Sequence, residues 1–450
     1  MTQQSMRRRL VALLTALGML AVLSPQIGAL ARLPDAMVLQ TGAVACVDAS
    51  LPLSAEVTGG VVTAAREQSA LNLTAGEESG TAQVVLRLLG LVPVKTVQVT
   101  VRQPRVLIPG GRTLGVAVQT RGVVVVGASD LDSVASPARR AGIRAGDVIE
   151  TVDGEEVNSA EALSQALADG SAARVGLIRG GSAMEVEVQP ARDPRDGVYK
   201  LGVWVRQSTA GVGTLTYYDP ETGGYGALGH AITDVDTGVR FPVGEGAVYE
   251  NEVVSITRGS RGTPGELTGA FFEQETELGS IERNTDFGVF GSASETLGES
   301  ELYPDGLPVA LRDEVHPGRA AILASVDGQE VKQYDCEIEK VYDQSQPETR
   351  SLVVRITDPE LLERTGGIVQ GMSGSPIVQD GKLVGAVTHV LINDPTRGYG
   401  VFIEWMLDAS SGEYSPEKRR RIAVQRRPGS GGTEPDEKET RTCVRGRRLI

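Results

Sequence analysis

The residues whose types and spacing could do chemistry lie in one short stretch, GMSGSP, at positions 371–376. A serine hydroxyl is a poor nucleophile at neutral pH, so it needs a base that takes its proton and donors that hold the oxyanion. The small neighbours of Ser373 let a substrate backbone come close and permit the unusual dihedrals of an oxyanion turn. We therefore predict that Ser373 is a nucleophile and that the backbone N–H groups of Gly371 and Ser373 form the oxyanion hole. A plain Gly-Ser turn is the alternative interpretation.

The wider pattern, G-x-S-G-S-P, resembles the nucleophile turn of chymotrypsin-like peptidases. It does not match the G-x-S-x-G elbow of α/β-hydrolases, because Ser375 stands where the final glycine should be. Ser375 precedes Pro376, which favours an extended conformation, and we interpret it as a structural residue.

Three histidines, His230, His316 and His389, are the candidates for the base. His230 ends a run of small residues in YGALGH, upstream of the serine, which resembles the base position of chymotrypsin-like peptidases. His316 precedes a proline in the charged stretch RDEVHPGR and is interpreted as a surface residue. His389 falls on the strand after the serine, where we expect it to line a substrate cleft or to pack in the core. The sequence therefore favours His230 as the base.

The aspartate that would orient this base is not fixed by the local pattern. Asp358 lies 15 residues before the serine, and its Asp-Pro pair is also typical of a helix start with Asp as the N-cap. Asp286 lies between the histidine and the serine, nearer to the spacing of a chymotrypsin acid. Asp234 and Asp236 are close to the histidine in the sequence. The residue types alone leave these alternatives open.

The composition indicates a mostly β protein of several domains. The chain has 450 residues, 55 of them glycine, and only 4% aromatic residues; Val-rich runs between turn signals are typical of strands. The net charge of −14 gives no reason to expect a nucleic-acid partner. Residues 418–450 reverse this sign, with 11 Lys and Arg against 4 Asp and Glu, and we predict that 413–450 is a basic, disordered tail.

The N-terminus is typical of an export signal. Arginines at positions 7–9 precede an apolar run at 10–23, which is short for a spanning helix and suitable for a signal peptide. The small residues at 29–31 could serve as a cleavage site, and a retained signal anchor is the alternative. We predict that residues 1–33 are one of these two and that the remainder is exported and membrane-associated.

The cysteines and histidines do not suggest a metal site. Cys46, Cys336 and Cys443 are far apart, and no pair has metal-ligand spacing. Export would permit one disulfide, but we expect free thiols. Three histidines are too few for a His-rich metal site, and no cofactor is expected.

The chain divides into three folded regions. Residues 34–102 contain alternating β-type runs and predict a small, sandwich-like β domain. Residues 103–195 contain AGIRAGDVIETVDGEEV, then a helical stretch at 159–168 and a hairpin that turns at 180–181, an order similar to a PDZ domain. Residues 196–412 are rich in Gly, Thr and short Val-rich strands, which predicts a barrel-type domain.

The PDZ resemblance implies a peptide-binding site. In PDZ domains a peptide adds as a strand beside a loop whose N–H groups hold a terminal carboxylate. By resemblance, that loop is Thr113, Leu114 and Gly115 in the stretch TLGVAV, with Val116 and Val118 on the receiving strand.

The whole arrangement is similar to the stage IV sporulation protein B family, the sporulation serine peptidases of endospore-forming bacteria. The motifs that carry the similarity are GALGHAITD and the block at 356–407, which begins ITDPELLERTGGIVQGMSGSP. The resemblance covers residues 1 to 410 and implies a chymotrypsin-like double β-barrel peptidase after the PDZ domain. It implies a His-Asp-Ser triad in which Ser373 is the nucleophile, His230 the base and Asp358, from the TDP motif, the acid.

The resemblance also implies a signalling role. Such a peptidase cleaves itself, and it cleaves a regulator that restrains an intramembrane metalloprotease, in the space between the two forespore membranes; a pro-sigma factor is then activated. The implied partners are that regulator, the chain itself, an inhibitor protein and the membrane, and the PDZ domain takes part in self-processing and recognition. Two alternatives are a PDZ adaptor with an inactive peptidase-like domain and a general envelope quality-control protease, in which the protease precedes the PDZ domain.

Overall fold

The computed structural model describes residues 35–48, 53–67, 70–270, 277–344, 346–412 and 448–449. The predicted signal segment, most of the basic tail and Cys443 lie outside these ranges. Contacts divide the chain into two compact units, which meet in sequence after Arg105. None of the described helices has the length and apolar character needed to cross a membrane.

The first unit is a two-sheet β-sandwich. Its strands are β1 Ala36–Gln40, β2 Val44–Asp48, β3 Leu53–Thr58, β4 Val62–Glu67, β5 Ala70–Ala75, β6 Gly80–Leu88 and β7 Val92–Arg102. One sheet has the order β1-β7-β6-β3 and the other β2-β5-β4. Alternate residues such as Leu71 and Leu73 on β5 and Val84 and Leu86 on β6 are buried in one shared core. The predicted sandwich is confirmed.

The second unit contains the remaining strands and all the described helices. Up to the middle of the unit the strands are β8 Val106–Pro109, β9 Thr113–Ala128, β10 Val148–Val152, β11 Glu155–Glu156, β12 Ala173–Arg179, β13 Ser182–Val188, β14 Ala191–Arg192, β15 Tyr199–Lys200, β16 Val203–Tyr218, β17 Gly224–Ala227, β18 Val243–Glu250, β19 Glu252–Thr257 and β20 Glu266–Ala270. They are followed by β21 Glu277–Ser280, β22 Arg283–Thr285, β23 Gly288–Ser292, β24 Leu307–Pro308, β25 Gly318–Ser325, β26 Val331–Val341, β27 Leu352–Ile356, β28 Pro376–Gln379, β29 Lys382–Val390, β30 Arg397–Phe402 and β31 Arg448–Leu449. The helices are α1 Pro137–Ala141, α2 Ala160–Ala166, α3 Pro359–Thr365 and α4 Ile403–Ser411, with 3-10 turns at Glu295–Gly298 and Arg312–Glu314.

Two long strands, β9 and β16, run through both a PDZ sheet and a peptidase sheet. They pair antiparallel from Ala128 opposite Val203 to Thr113 opposite Thr214. The later half of β9 and the earlier half of β16 belong to the PDZ sheet, whose order is β13-β12-β10-β9-β16 and whose core is closed by α1 and α2. The other halves join β17, β18 and β23 in a half barrel with its own core. The start of β9, which the sequence analysis assigned to the PDZ region, therefore lies in the peptidase half barrel.

The second peptidase sheet is a closed barrel of six strands in the order β25-β26-β27-β30-β29-β28. Its strands contribute alternating buried residues, and α4 packs the buried side chains of Trp405 and Met406 into the same core. The half barrel and the closed barrel together give the chymotrypsin-like, mainly β fold that the sequence predicts.

Cys46 and Cys336 carry free thiols. Cys336 is buried in the closed barrel, and this burial raises the pKa of its thiol to about 12.

Candidate active site

A cavity of about 250 Å³ lies between the half barrel and the closed barrel. The half barrel contributes residues 209–212 and 230–233 together with Asp286. The closed-barrel side contributes residues 368–370, Ser373 and residues 388–390. The predicted nucleophile and the predicted base therefore line one cavity, although 143 positions separate them in the sequence.

The turn that carries Ser373 is fixed by strand β16 of the half barrel. The hydroxyl of Thr214 donates to the carbonyl of Gly371 at 2.7 Å, and the backbone N–H of Thr214 donates to the carbonyl of Ser373 at 2.9 Å. Thr216 Oγ1 donates to the carbonyl of Gly374 at 2.8 Å. Gly374 has a φ of 98°, and a Cβ there would lie 2.1 Å from the Thr214 carbonyl oxygen. Glycine is required at this position because the turn is left-handed and the two backbones are in contact.

The backbone N–H groups of the turn fall into two kinds. Those of Met372 and Gly374 donate to backbone carbonyl groups at 3.1 and 2.8 Å. Those of Gly371 and Ser373 have no acceptor within the described part of the chain. The two free donors are the two that the sequence predicts for the oxyanion hole, and free, preorganised N–H groups are what a developing oxyanion needs.

The hydroxyl of Ser373 donates to the carbonyl of Thr388, on the neighbouring strand β29, at 2.8 Å. Ser373 and His230, both of which are described, share no hydrogen bond in this arrangement. A rotation about χ1 would release the hydroxyl from the carbonyl, and catalytic hydrogen bonds are commonly long or absent before substrate binds.

His230 follows a tight turn at the end of β17, in which Leu228 and Gly229 have φ values of 69° and 68°. Its Nδ1 lies 2.9 Å from the carbonyl oxygen of Ala231. With the proton on Nδ1, this contact is a hydrogen bond and Nε2 is left without a proton, as a general base requires. A backbone carbonyl can thus fix the tautomer of this imidazole.

The other two histidines are placed as the sequence analysis expects. The ring of His389 lines the cavity, with its centroid 4.9 Å from that of His230 and the two planes at 37°. His316 is exposed, and its Nε2 lies 2.8 Å from Oδ2 of Asp380. The hydrogen bond with the Pro317 carbonyl raises the pKa of His316, and the contact with Asp380 raises it further.

The candidate acids are placed in different regions. Asp358 is the N-cap of α3, where its Oδ1 accepts from the Leu361 N–H at 3.0 Å, and it is not among the residues that line the cavity. Asp286 does line the cavity, and it forms an ion pair with Arg240 at 3.2 Å. The structure thus brings Asp286, and not Asp358, into the cavity that contains His230.

Arg206 is a residue that the sequence reasoning did not find. It lies on β16 with 4% of its side chain exposed, and it forms ion pairs with the fully buried Asp234 and, at 2.9 Å, with Asp236. Asp234 also accepts from the N–H groups of Asp236 and Thr237. These contacts fix the loop that follows His230. A signal was present, since a lone arginine in the apolar strand VWVRQ requires a buried acidic partner.

The predicted PDZ peptide site does not agree with the strand pairing. Val116 of β9 lies opposite Gly211 of β16 on one edge and opposite Val248 of β18 on the other, and Val118 is likewise paired on both sides. Thr113 and Leu114 are fully buried, and Gly115 is paired on both edges as well. A strand that is hydrogen-bonded along both edges cannot accept an added peptide strand.

Within the described residues, no group of three or more His, Cys, Asp or Glu side chains could hold a metal ion.

Comparison with known proteins matches two stretches of the chain to family models. Residues 197–407 match the family model of SpoIVB peptidase S55, and residues 133–180 match that of a PDZ domain. Among solved structures, the chain is similar to an inactive form of the Rv3671c protease, at 14% identity and a TM-score of 0.26, over 45% of this chain and 83% of that one. A mutant of Rv3671c from M. tuberculosis H37Rv matches at 15% identity and a TM-score of 0.24, over 49% and 85%. The HtrA-type protease AlgW with a decapeptide matches at 13% identity and a TM-score of 0.25, over 46% of this chain and 54% of that one. Residues 197–407 are thus similar to SpoIVB peptidase S55, and the chain is a serine endopeptidase that also carries a PDZ domain.

Proposed function

We propose that Ser373 is the nucleophile of this peptidase and that His230 is its general base. The observation that carries the proposal is that both residues line one cavity beside the two N–H groups that have no acceptor in the described chain. Nε2 of His230 takes the proton from Ser373 Oγ as that oxygen forms a bond to the scissile carbonyl carbon. The carbonyl oxygen becomes an oxyanion held by the N–H groups of Gly371 and Ser373.

The protonated imidazole then gives its proton to the leaving amine, and the C–N bond breaks to leave an acyl-enzyme. A water molecule loses a proton to Nε2 and attacks the ester carbonyl. As the C–Oγ bond breaks, Nε2 returns the proton to Ser373 Oγ, which releases the second product and restores both residues. In this proposal the Ala231 carbonyl holds Nδ1–H throughout, and Asp286 is the carboxylate that shares the cavity. Asp358 is assigned a positioning role, since it caps the helix that leads into the nucleophile turn.

We further propose that the substrates are the chain itself and a membrane-bound regulator of an intramembrane metalloprotease. The exported enzyme would act in the space between the forespore membranes, and cutting the regulator would start the activation of a pro-sigma factor. The match of residues 197–407 to SpoIVB peptidase S55 supports this role in sporulation.

The test compares two serine variants in a protein comprising residues 32–450. Ser373→Ala removes the nucleophile and is expected to lower the rate of self-cleavage by at least about a thousand-fold. Ser375→Ala is the matched control, because this hydroxyl is fully buried and has no hydrogen-bond partner, so its loss leaves no group unpaired. Intact-mass spectrometry over time gives both rates. Equal rates for the wild type and Ser373→Ala would refute the assignment.

A second comparison separates the two acids. Asp286→Asn is expected to change the pH dependence of kcat/KM, because it removes a charge from the cavity that contains the base. Asp358→Asn is expected to lower the free energy of unfolding by about 1 kcal/mol or less, because asparagine also serves as an N-cap. A large loss of activity in a stable Asp358→Asn protein would instead favour the acid that the family resemblance implies.

A further inference from the structure

Strand β16 has an edge in the PDZ sheet that is occupied by the end of the basic tail. Along residues 203–206 one edge pairs with β9. On the other edge Trp204 lies opposite Leu449 and Val205 opposite Arg448, in antiparallel register with β31. We propose that this edge is the peptide-binding groove of the PDZ domain and that the basic tail is its intramolecular ligand.

Helix α2 forms the second wall of this groove. The N–H of Ala160, the first residue of the helix, donates to Oε1 of Gln207 at 2.7 Å. Val203 and Val205 are buried in the same core as Leu163 of the helix. The strand edge and the helix therefore lie side by side, and an extended peptide that adds to β16 fits between them.

The end of the groove offers backbone donors. The carbonyl groups of Leu201 and Gly202 point inward, where they accept from the N–H groups of Ala138 and Ser129, both at 3.0 Å. The hydroxyl of Ser136 lies 3.3 and 3.1 Å from the same two oxygens. The N–H groups of Leu201 and Gly202 have no acceptor in the described ranges. Because β31 is antiparallel to β16, a ligand in this register directs its C-terminal end toward these donors, which suit a carbonyl or carboxylate oxygen.

Charge favours a basic ligand. The tail at 418–450 carries 11 Lys and Arg against 4 Asp and Glu, whereas the whole chain has a net charge of −14. Glu161 lies exposed in the first turn of α2, next to the groove. A basic, extended peptide is therefore the class of ligand that the groove would take, and the tail of this chain has that character.

The chain is long enough for the tail to leave and return. Thirty-six positions separate Gly412 from Arg448, and such a segment spans up to roughly 120 Å when extended. A ligand tethered to its own binding domain has an effective concentration of order mM or below, so it competes with free peptides of micromolar affinity. Peptides from other proteins would thus bind only by displacing the tail.

The experiment measures this competition. Three proteins, all carrying Ser373→Ala so that self-cleavage cannot remove the tail, are titrated into a fluorescent peptide with the sequence of residues 444–450, VRGRRLI. The first has the native tail, and the second carries Arg448→Pro and Leu449→Pro. The third is a matched control with Arg441→Pro and Thr442→Pro, which places two prolines outside the paired residues.

Successive residues of a strand direct their N–H groups to opposite edges. Prolines at both 448 and 449 therefore remove the N–H group that donates to β16. We expect the peptide to bind the 448/449 variant at least tenfold more tightly than the native and 441/442 proteins, by fluorescence anisotropy. A peptide carrying the two prolines at 448 and 449 is expected not to bind. Equal affinity for the three proteins, or no binding to any of them, would overturn the proposal. The readout does not depend on catalysis, so it stands apart from a failure of the proposed peptidase mechanism.

Discussion

The ion pair between Arg206 and Asp234 gives the sharpest prediction for stability. Their side chains are 4% and 0% exposed, and removing one partner of a buried pair costs about 3–5 kcal/mol, because the other charge stays buried without compensation. When Arg206 is replaced, Asp234 still accepts hydrogen bonds from the N–H groups of Asp236 and Thr237 and from the Thr237 hydroxyl. We therefore expect Arg206→Met to lower the free energy of unfolding by about 3 kcal/mol, at the lower end of that range. Urea unfolding at pH 7 measures the change.

Two further variants decide whether the reasoning holds. The double variant Arg206→Met with Asp234→Asn buries no charge, so it should recover part of the lost stability. Arg364→Met is the matched control, since Arg364 and its partner Asp327 are 32% and 67% exposed and an exposed pair contributes about 0–1 kcal/mol. A loss below about 1 kcal/mol for Arg206→Met, or a larger loss in the double variant, would refute the argument that a buried charge is compensated here.

Three other predictions follow from single contacts. Gly374→Ala should abolish cleavage, because its Cβ would lie 2.1 Å from the Thr214 carbonyl oxygen; full activity in a peptide-cleavage assay would contradict the turn geometry. Thr214→Val removes the donor to the buried Gly371 carbonyl, so it should lower the free energy of unfolding by about 1–3 kcal/mol together with kcat, and unchanged values of both would count against it. Burial raises the pKa of the Glu404 carboxyl above its ordinary 4.5, so the ionised side chain destabilises the fold as pH rises above that value. Glu404→Gln should therefore be more stable than the wild type at pH 7, with the difference shrinking toward pH 4; a difference that grows as pH falls would contradict this sign.

The residues that we propose as nucleophile and base could be picked out in the sequence because their signals are local. The glycines around Ser373 and the small residues before His230 are visible in short stretches, and the structure places both residues in one cavity. The acid could not be predicted in this way, because a carboxylate reaches an imidazole through space. The Asp-Pro pair at Asp358 has the local meaning of a helix cap, and that is the role its hydrogen bonds show. Asp286 has no local signal that distinguishes it from a surface aspartate.

Strand patterns predicted the small sandwich and a barrel-type domain, and resemblance to known families predicted the PDZ domain and the double barrel. Neither predicted which strand edges are paired. The stretches TLGVAV at 113–118 and LGVWV at 201–205 look alike in sequence, and either could be the receiving strand of a PDZ domain. Pairing separates them, since β9 is hydrogen-bonded along both edges at Val116. Among the described residues, the outer edge of β16 at Trp204 pairs with the short strand β31 alone. Which edges are free depends on contacts between residues that are distant in the sequence, and no alternation pattern records them.

Strand β16 gives the peptidase a physical connection between its two kinds of site. In sequence order it contributes Trp204 to the edge paired with β31, Arg206 to the ion pair that fixes the loop after His230, and residues 209–212 to the cavity. Thr214 then holds the nucleophile turn through two hydrogen bonds. A ligand at the outer edge can change the peptidase only if it binds one arrangement of this strand better than another. Ten residues of a single strand separate Trp204 from Thr214, and Arg206 lies close to Trp204. A change of twist or register at the edge would therefore alter the loop after His230 before it alters the turn that carries Ser373. Loss of the tail should therefore affect the position of His230 first.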